Sequence, residues 1–245
     1  MQKAMTGFVD IHTHILPGVD DGAADILEGM KLVRMAWEDG TRALFLTPHY
    51  RGSFKENTPA WLHEVFSMFR QSVAEELPEM KLYLGSEAHY EAALPELLCE
   101  GKVMPLLNSQ YVLLEFLSTS VRSQIVNGVS EVIRCGFTPV IAHAERYNAF
   151  RKDAALADTV LAMGALIQLN ASSILGKHGY GIKQFCHRLL QQRKAHFIAS
   201  DAHDCAQRPP LLQACWQRVS KKYTADYASA LFRENAQAII ENRDL

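Results

Sequence analysis

"FVDIHTHILPGVDDG", residues 8 to 22, sets two histidines one residue apart at the end of an apolar run, then two aspartates just before a glycine. By itself an H-x-H pair says little in a chain with 10 histidines. The rest of the sequence repeats the same grammar. The run "GFVDIH" (7–12) is followed by "ALFLTP" (43–48), "LYLGSE" (82–87), "YVLLEF" (111–116), "TPVIAH" (138–143), "ALIQLN" (165–170) and "HFIASD" (196–201). Between several of them lie amphipathic stretches such as "DILEGMKLVRMAWEDG" (25–40), and 117–137, 151–163, 181–193 and 208–243 also read as helical. Short apolar runs alternating with helices are the sign of β-α units around a parallel sheet. The expected fold is therefore α/β, a closed parallel barrel, with residues 1–245 forming one domain.

Each run ends in a residue that can hold a metal ion. His12 and His14 close the first, His49 the second, Glu87 the third, Glu115 the fourth, His143 the fifth, Asn170 the sixth, and Asp201 with His203 the seventh. In a parallel barrel the C-terminal strand ends converge on one face, where such folds carry their active sites. On extended backbone residues i and i+2 point the same way, so His12 with His14, and Asp201 with His203, are expected to face a common centre. Any one of these residues alone reads equally well as a buried polar group. Together they are unusual for a barrel interior, which is normally filled by branched apolar side chains.

Imidazoles and carboxylates without thiolate suit manganese, zinc or iron. The donors exceed one coordination shell and imply two or three ions, with Glu87 as a bridge. Ions roughly 3.5 to 4 Å apart clamp the attacking and leaving oxygens in phosphoryl transfer, and a coordinated water whose pKa falls to about 7 serves as nucleophile. Arg146 in "AHAERYN" and Arg208 in "DAHDCAQRPP" fall on loops above the same face, where a guanidinium fork would grip phosphate. No cysteine is followed six positions later by arginine, and there is no G-x-S-x-G elbow or G-x-x-x-x-G-K-[ST] loop. "GKHGYG" (176–181) reads as a plain loop. The other histidines read as surface or core residues, with His89, two after Glu87, left open as a further ligand.

A formal net charge of -2 gives no basic tract for nucleic acid or a membrane surface. The 5 cysteines are scattered without a C-x-x-C pair, which fits a reducing compartment. No run of about 18 apolar residues is present to insert in a membrane, and "MQKAMTGFV" lacks the apolar core of a secretion signal. The chain is expected to be soluble and cytoplasmic.

"DIHTH", "TPHY", "GSE", "LLEF", "VIAHAERY" and "IASDAH" together resemble the PHP (polymerase and histidinol phosphatase) superfamily. "DIHTHILPGVDDGA", "PVIAHAERY" and "ASDAHDCAQRPP" resemble its CpsB/CapC branch, the manganese-dependent bacterial protein-tyrosine phosphatases linked to capsule and exopolysaccharide synthesis. The resemblance runs over about residues 8–215 in unbroken motif order. It implies a distorted seven-stranded TIM-like (β/α) barrel with three metal ions, most naturally manganese, with iron or zinc as alternatives. By motif, one ion falls to His12, His14, Glu87 and Asp201, and a second to Glu87, Glu115 and His143. The third falls to His49, His203 and an aspartate of "VDDG", Asp20 by superfamily spacing, with Asp21 as competitor. Arg146 and Arg208 would hold phosphate, and Asp10 would orient a ligating histidine. The residues before "DIH" depart from the branch's usual start.

The leading expectation is a phosphotyrosine-protein phosphatase whose partner is a bacterial tyrosine autokinase of polysaccharide export. The alternatives are a phosphoesterase acting on a small metabolite such as histidinol phosphate or a sugar phosphate, and a noncatalytic metal-binding scaffold. Segment 50–60, "YRGSFKENTPA", is expected at the rim or as a lid.

Overall fold

In the computed structural model, which describes residues 7–51 and 57–245, each apolar run contains extended backbone. Residues 52–56 of the segment expected at the rim lie outside the described residues. The strands are β1 (Phe8–Thr13), β2 (Thr41–Leu46), β3 (His49–Tyr50), β4 (Lys81–Leu84), β5 (Glu87–His89), β6 (Tyr111–Glu115), β7 (Thr138–Ile141), β8 (Leu166–Asn170) and β9 (Phe197–Ala199). The expected seven strands are thus nine segments, because a short strand follows the run 43–48 after Pro48 and the run 82–87 divides at Gly85 and Ser86. Pro48 has no amide hydrogen to continue a ladder. The Gly85 and Glu87 amides instead donate across the two breaks to the carbonyls of Leu46 and Pro48, at 3.0 and 3.1 Å.

All pairings are parallel, in a three-stranded sheet β1-β2-β4 and a six-stranded sheet β3-β5-β6-β7-β8-β9. A parallel bridge from Thr13 to Ala202 joins the free edges of β1 and the last strand. The sheets curl around an inner core. Alternation along each strand shows it: Ala43 and Phe45 of β2, with Tyr111 and Leu113 of β6, enter a cluster with Val9, Ile11, Val140 and Phe197. Their neighbours Leu44, Leu46, Val112 and Leu114 pack outward under the helices. Both faces are covered, as parallel sheets require.

Helix α1 (Ile26–Glu38) begins where Asp25 accepts the Glu28 amide at 2.9 Å and the Glu28 side chain accepts the Ala24 amide, two caps on one turn. Its inner stripe includes Met30, Leu32, Val33 and Ala36. Gly29 lets it press on helix α2 (Pro59–Glu76), since a Cβ there would sit 3.0 Å from the Phe69 ring. Helix α2 was not singled out in the sequence. Its signals are Thr58 as cap, Pro59 in the first turn, and Leu62, Phe66, Phe69 and Val73 on one face. Helices α3 (Leu94–Cys99) and α4 (Arg122–Arg134) follow β5 and β6. The stretch 208–243 is not continuous helix, but includes Gln213–Lys222, Ala225–Ser229 and Asn235–Glu241.

Candidate metal centre

Register brings the chemistry together. His49 stands opposite Glu87 and His89 opposite Glu115 in the six-stranded sheet. The backbone of β1 bonds the last strand end, with the Asp201 amide donating to the His12 carbonyl at 3.0 Å and the His14 amide to the Ala202 carbonyl at 2.8 Å. The Glu87 carboxylate, fully buried, lies 3.3 Å from His12 Nε2, 3.2 Å from His14 Nε2, 3.0 Å from His49 Nδ1 and 2.8 Å from His143 Nε2. Asp201 Oδ1 is 3.5 Å from His12 Nε2 and 3.6 Å from His14 Nε2. Glu115 approaches His143 at 3.8 Å and His49 at 3.9 Å.

Asp20 and Asp21 separate in space. One oxygen of Asp20 meets His14 Nδ1 at 2.7 Å and accepts the His49 amide at 3.0 Å, while the other accepts the Gly22 amide at 3.0 Å. It faces the back of an imidazole and backbone donors. Asp21 Oδ1 lies instead 3.3 Å from His49 Nε2 and 3.7 Å from His203 Nε2. A Cβ on Gly22 would stand 1.9 Å from the His14 carbonyl oxygen, so only glycine lets this turn close against β1.

Partners behind the rings fix which nitrogen faces inward. Gln168 Oε1 lies 3.2 Å from His12 Nδ1 and accepts the His143 amide at 2.8 Å; Asp20 holds His14 Nδ1, and the Asp201 carbonyl holds His203 Nδ1 at 3.0 Å. Those three rings turn Nε2 toward the centre, the arrangement in which an outer hydrogen bond sets a ligand's tautomer. Asn170, expected as a donor, receives from Gln168 and donates to Asp201 Oδ2, each at 2.8 Å, and so positions the aspartate. Asp10 was expected to orient an imidazole. Its carboxylate instead accepts the backbone amides of His12 at 3.4 Å and Ser200 at 3.1 Å. Asp201 and His203 also do not share an extended strand. Asp201 is left-handed at φ 55, as is His143 at φ 30, a backbone state costing roughly 1–3 kcal/mol per residue outside glycine.

The electrostatics follow. Burial would raise the carboxylates, but His12 and His49 beside Glu87, and His12 and Arg146 beside Asp201, hold both below the usual range. Burial would lower the imidazoles; Asp20 and Glu87 nevertheless raise His14, and Glu87 and Asp21 raise His49 to about 9. His203, stacked on His14 with ring centroids 3.9 Å apart, is pushed down to about 3 by burial and the neighbouring charge. Burial also raises Asp10 to about 6.

Arg146 reaches Asp201 Oδ2 at 2.9 Å and remains 28% exposed. The Arg208 carbonyl accepts the His203 amide at 2.9 Å, and its guanidinium makes no ion pair among the described residues. His89 Nδ1 touches Glu115 Oε2 at 3.1 Å. Two residues not singled out in the sequence join this neighbourhood: Gln168, a polar residue inside an apolar strand, and Arg51, whose guanidinium lies 3.7 Å from Asp21.

The donor set fits metal ions. Three groups each place their ligand atoms within 4.8 Å of one another: His14, Asp21, His49 and His203; His12, His14 and Glu87; His49, Glu87 and Glu115. Buried Glu87 Oε2 and His203 Nε2 have no hydrogen-bond partner with acceptable geometry. Such atoms are costly unless an ion or water completes them.

A curled parallel α/β sheet carrying shared imidazole and carboxylate donors at its strand ends is the arrangement of multinuclear metal hydrolases. Residues 8–241 match the family described as capsular polysaccharide synthesis, CpsB/CapC, and the chain belongs to that family. The tyrosine-protein phosphatase CpsB of Streptococcus pneumoniae is 32% identical over 238 residues, 95% of this chain and 98% of that protein. A crystal structure from work on YwqE of Bacillus subtilis and CpsB of S. pneumoniae, described as metal-dependent tyrosine phosphatases, superposes with a TM-score of 0.91 at 29% identity, covering 97% of this chain and 96% of that chain. The histidinol phosphate phosphatase of Lactococcus lactis, at 14% identity and a TM-score of 0.56 over 88% of this chain and 93% of that one, shares the fold.

Proposed function

We propose that this chain is a metal-dependent protein-tyrosine phosphatase that hydrolyses phosphotyrosine esters. The observation that carries the reading is Glu87, one buried carboxylate within 3.3 Å of four imidazoles from three other strand ends. The ligands would be His12, His14, His49, Glu87, Glu115, His143, Asp201 and His203, with Asp21 taking the place first given to Asp20. Manganese is the proposed metal, and the two sheets serve as one distorted seven-stranded barrel within a single domain.

When bound, such ions polarise phosphoryl oxygens and acidify coordinated water to a pKa of about 7. The chain's own residues do the rest. Asp20, Gln168 and the Asp201 carbonyl hold three imidazoles with Nε2 inward, so little reorganisation accompanies metal capture. Arg146, anchored on one side by Asp201, offers its exposed side to a phosphate oxygen, and Arg208 offers a second fork. Both steady the charge that grows on the phosphoryl group.

We propose a bacterial tyrosine autokinase of polysaccharide export as the partner, in keeping with the family's link to capsular polysaccharide synthesis. No helix among the described residues is long and apolar enough to cross a membrane, in keeping with a soluble enzyme meeting kinase tails. The test compares phosphotyrosine peptides with histidinol phosphate and sugar phosphates, with manganese and with chelator. Manganese-dependent release of phosphate from the peptides is expected. Turnover of the small metabolites alone would move the reading to a metabolite phosphatase.

A further inference from the structure

Charge is not spread evenly along this chain of net charge -2. Of its 25 Lys and Arg, nine fall within residues 159–225, beside only two of its 27 Asp and Glu, Asp201 and Asp204. The cations are spaced singly or in pairs, so no basic tract shows in the sequence, and the fold gathers them. The helices Tyr180–Gln191 and Gln213–Lys222 lie side by side, joined where His187 Nδ1 meets the Tyr223 hydroxyl at 2.9 Å. Lys183 stands one turn before His187 on the first helix, and Arg218 one turn before Lys222 on the second, so each pair shares a face. Burial, and then the charges of Lys222, Lys183 and Arg218, push His187 down to about 4. Lys183 also reaches back toward the metal face, since a Cβ on Gly176 would stand 3.1 Å from its Cδ, and Lys177 comes next in that loop. The loop is moored to the site. His178 Nε2 touches Ser172 Oγ at 3.0 Å, two residues after Asn170, whose amide holds Asp201. Burial, and next the charge of Arg146, lower the His178 imidazole below its ordinary range. Lys194 is matched by Asp158 at 2.6 Å, but Lys177, Lys183, Arg218 and Lys222 make no ion pair among the described residues. Three of these four are exposed, and Lys183 is half-buried.

We propose that these cations form a track, from Arg146 and Arg208 through Lys177 and Lys183 to Arg218 and Lys222, that docks an acidic segment of the polypeptide substrate. The proposal rests on the reading of the chain as a phosphotyrosine hydrolase. Continuity with the phosphate site favours a polypeptide over a lipid surface. A chain held by its phosphate at the arginines must leave across the neighbouring surface, whereas a bilayer gains nothing from that alignment. Acidic residues nearest the phosphotyrosine then meet Lys177, and those farther along an extended chain, at about 3.3 Å per residue, meet Arg218 and Lys222. Exposed charge pairs are individually weak and screened by salt, so the track acts on capture and partner choice and leaves the chemical step to the metal face.

The experiment gives the manganese-loaded full chain, with bound metal counted for each variant, two phosphotyrosine peptides of equal length, one flanked on both sides by glutamates and one by glutamines. The parent is expected to show about tenfold higher kcat/KM on the acidic peptide, carried by KM, the order expected of several exposed charge pairs acting together. That ratio should shrink as salt rises from roughly 0.05 to 0.5 M. Lys183→Glu with Arg218→Glu should bring it to about one; Lys183→Gln with Arg218→Gln should lower it and serves if the charge reversal does not fold. Fluorescence anisotropy of the same peptides with phenylalanine in place of phosphotyrosine needs no turnover. The parent should bind the acidic one more tightly, and the variants should lose that margin. Equal kcat/KM on the two peptides would overturn the proposal, as would variants that keep the parent's ratio. Binding to phosphatidylserine vesicles that the variants abolish, with the peptide ratio unmoved, would also overturn it and assign the cations to lipid. A parent that hydrolyses neither peptide would instead sink the phosphatase reading, with the anisotropy margin still deciding the track.

Discussion

Asp20 and Asp21 are neighbours in sequence with opposite tasks in space. Asp20 braces His14 from behind, and Asp21 faces His49 and His203. Spacing alone could not separate them, because the tight "VDDG" turn decides which carboxylate swings inward. Asp21→Ala should lose about one ion per chain, read by elemental analysis. Asp20→Asn should keep the stoichiometry and weaken metal affinity by roughly 10- to 100-fold, the usual effect of removing an outer partner. The reverse pattern would restore Asp20 as the ligand. The arginines give a second prediction. Arg146→Ala and Arg208→Ala should each cut kcat/KM on a phosphotyrosine peptide by on the order of a hundredfold at unchanged metal content. Lysine should rescue only part, since an ammonium restores charge without the planar fork. Alanine variants as fast as the parent would reduce both arginines to loop supports.

Elements were legible where patterns were strong. Apolar runs ending in His, Glu or Asp marked the strands, and α1 declared itself by its caps and stripe. The breaks at the ends of 43–48 and 82–87 were not drawn from the sequence, although Pro48 and Gly85, where the backbone pairing shifts, stand there as signals. Gln168 was readable in retrospect, as an amide in an apolar strand two residues before Asn170. Strand β9 adds a pH test away from the metal donors. His196, just before β9, takes the Ile167 amide on Nδ1 at 3.3 Å, and burial lowers its pKa from the ordinary 6.5 to about 4. The unfolded chain therefore binds this proton first, so the stability is intact above pH 6.5 and is lost as pH falls toward 4. Melting temperatures should show the parent's lead over His196→Gln shrinking between pH 7.5 and 5. A lead that does not change with pH would contradict the assignment.

Over the whole molecule, strand-end donors from both ends of the chain meet because a parallel sheet curls until Thr13 pairs with Ala202. That closure is what turned scattered histidines into one cluster, and it was foreseeable from the order of the runs; the division into two sheets was not. No donor is a cysteine, and Cys205 lies on the loop between His203 and Arg208. Cys186 and Cys215 are buried, and burial pushes both thiols up. Alkylation of exposed Cys99 should therefore leave turnover intact, and loss of activity on its modification would argue for thiol chemistry. A multinuclear metal site built from these donors is tested most directly by elemental analysis of apo-protein titrated with manganese, with phosphotyrosine hydrolysis followed at each step. More than one ion per chain, up to three, with activity rising only as the later ions bind, is the predicted result; full activity with at most one ion bound would contradict it.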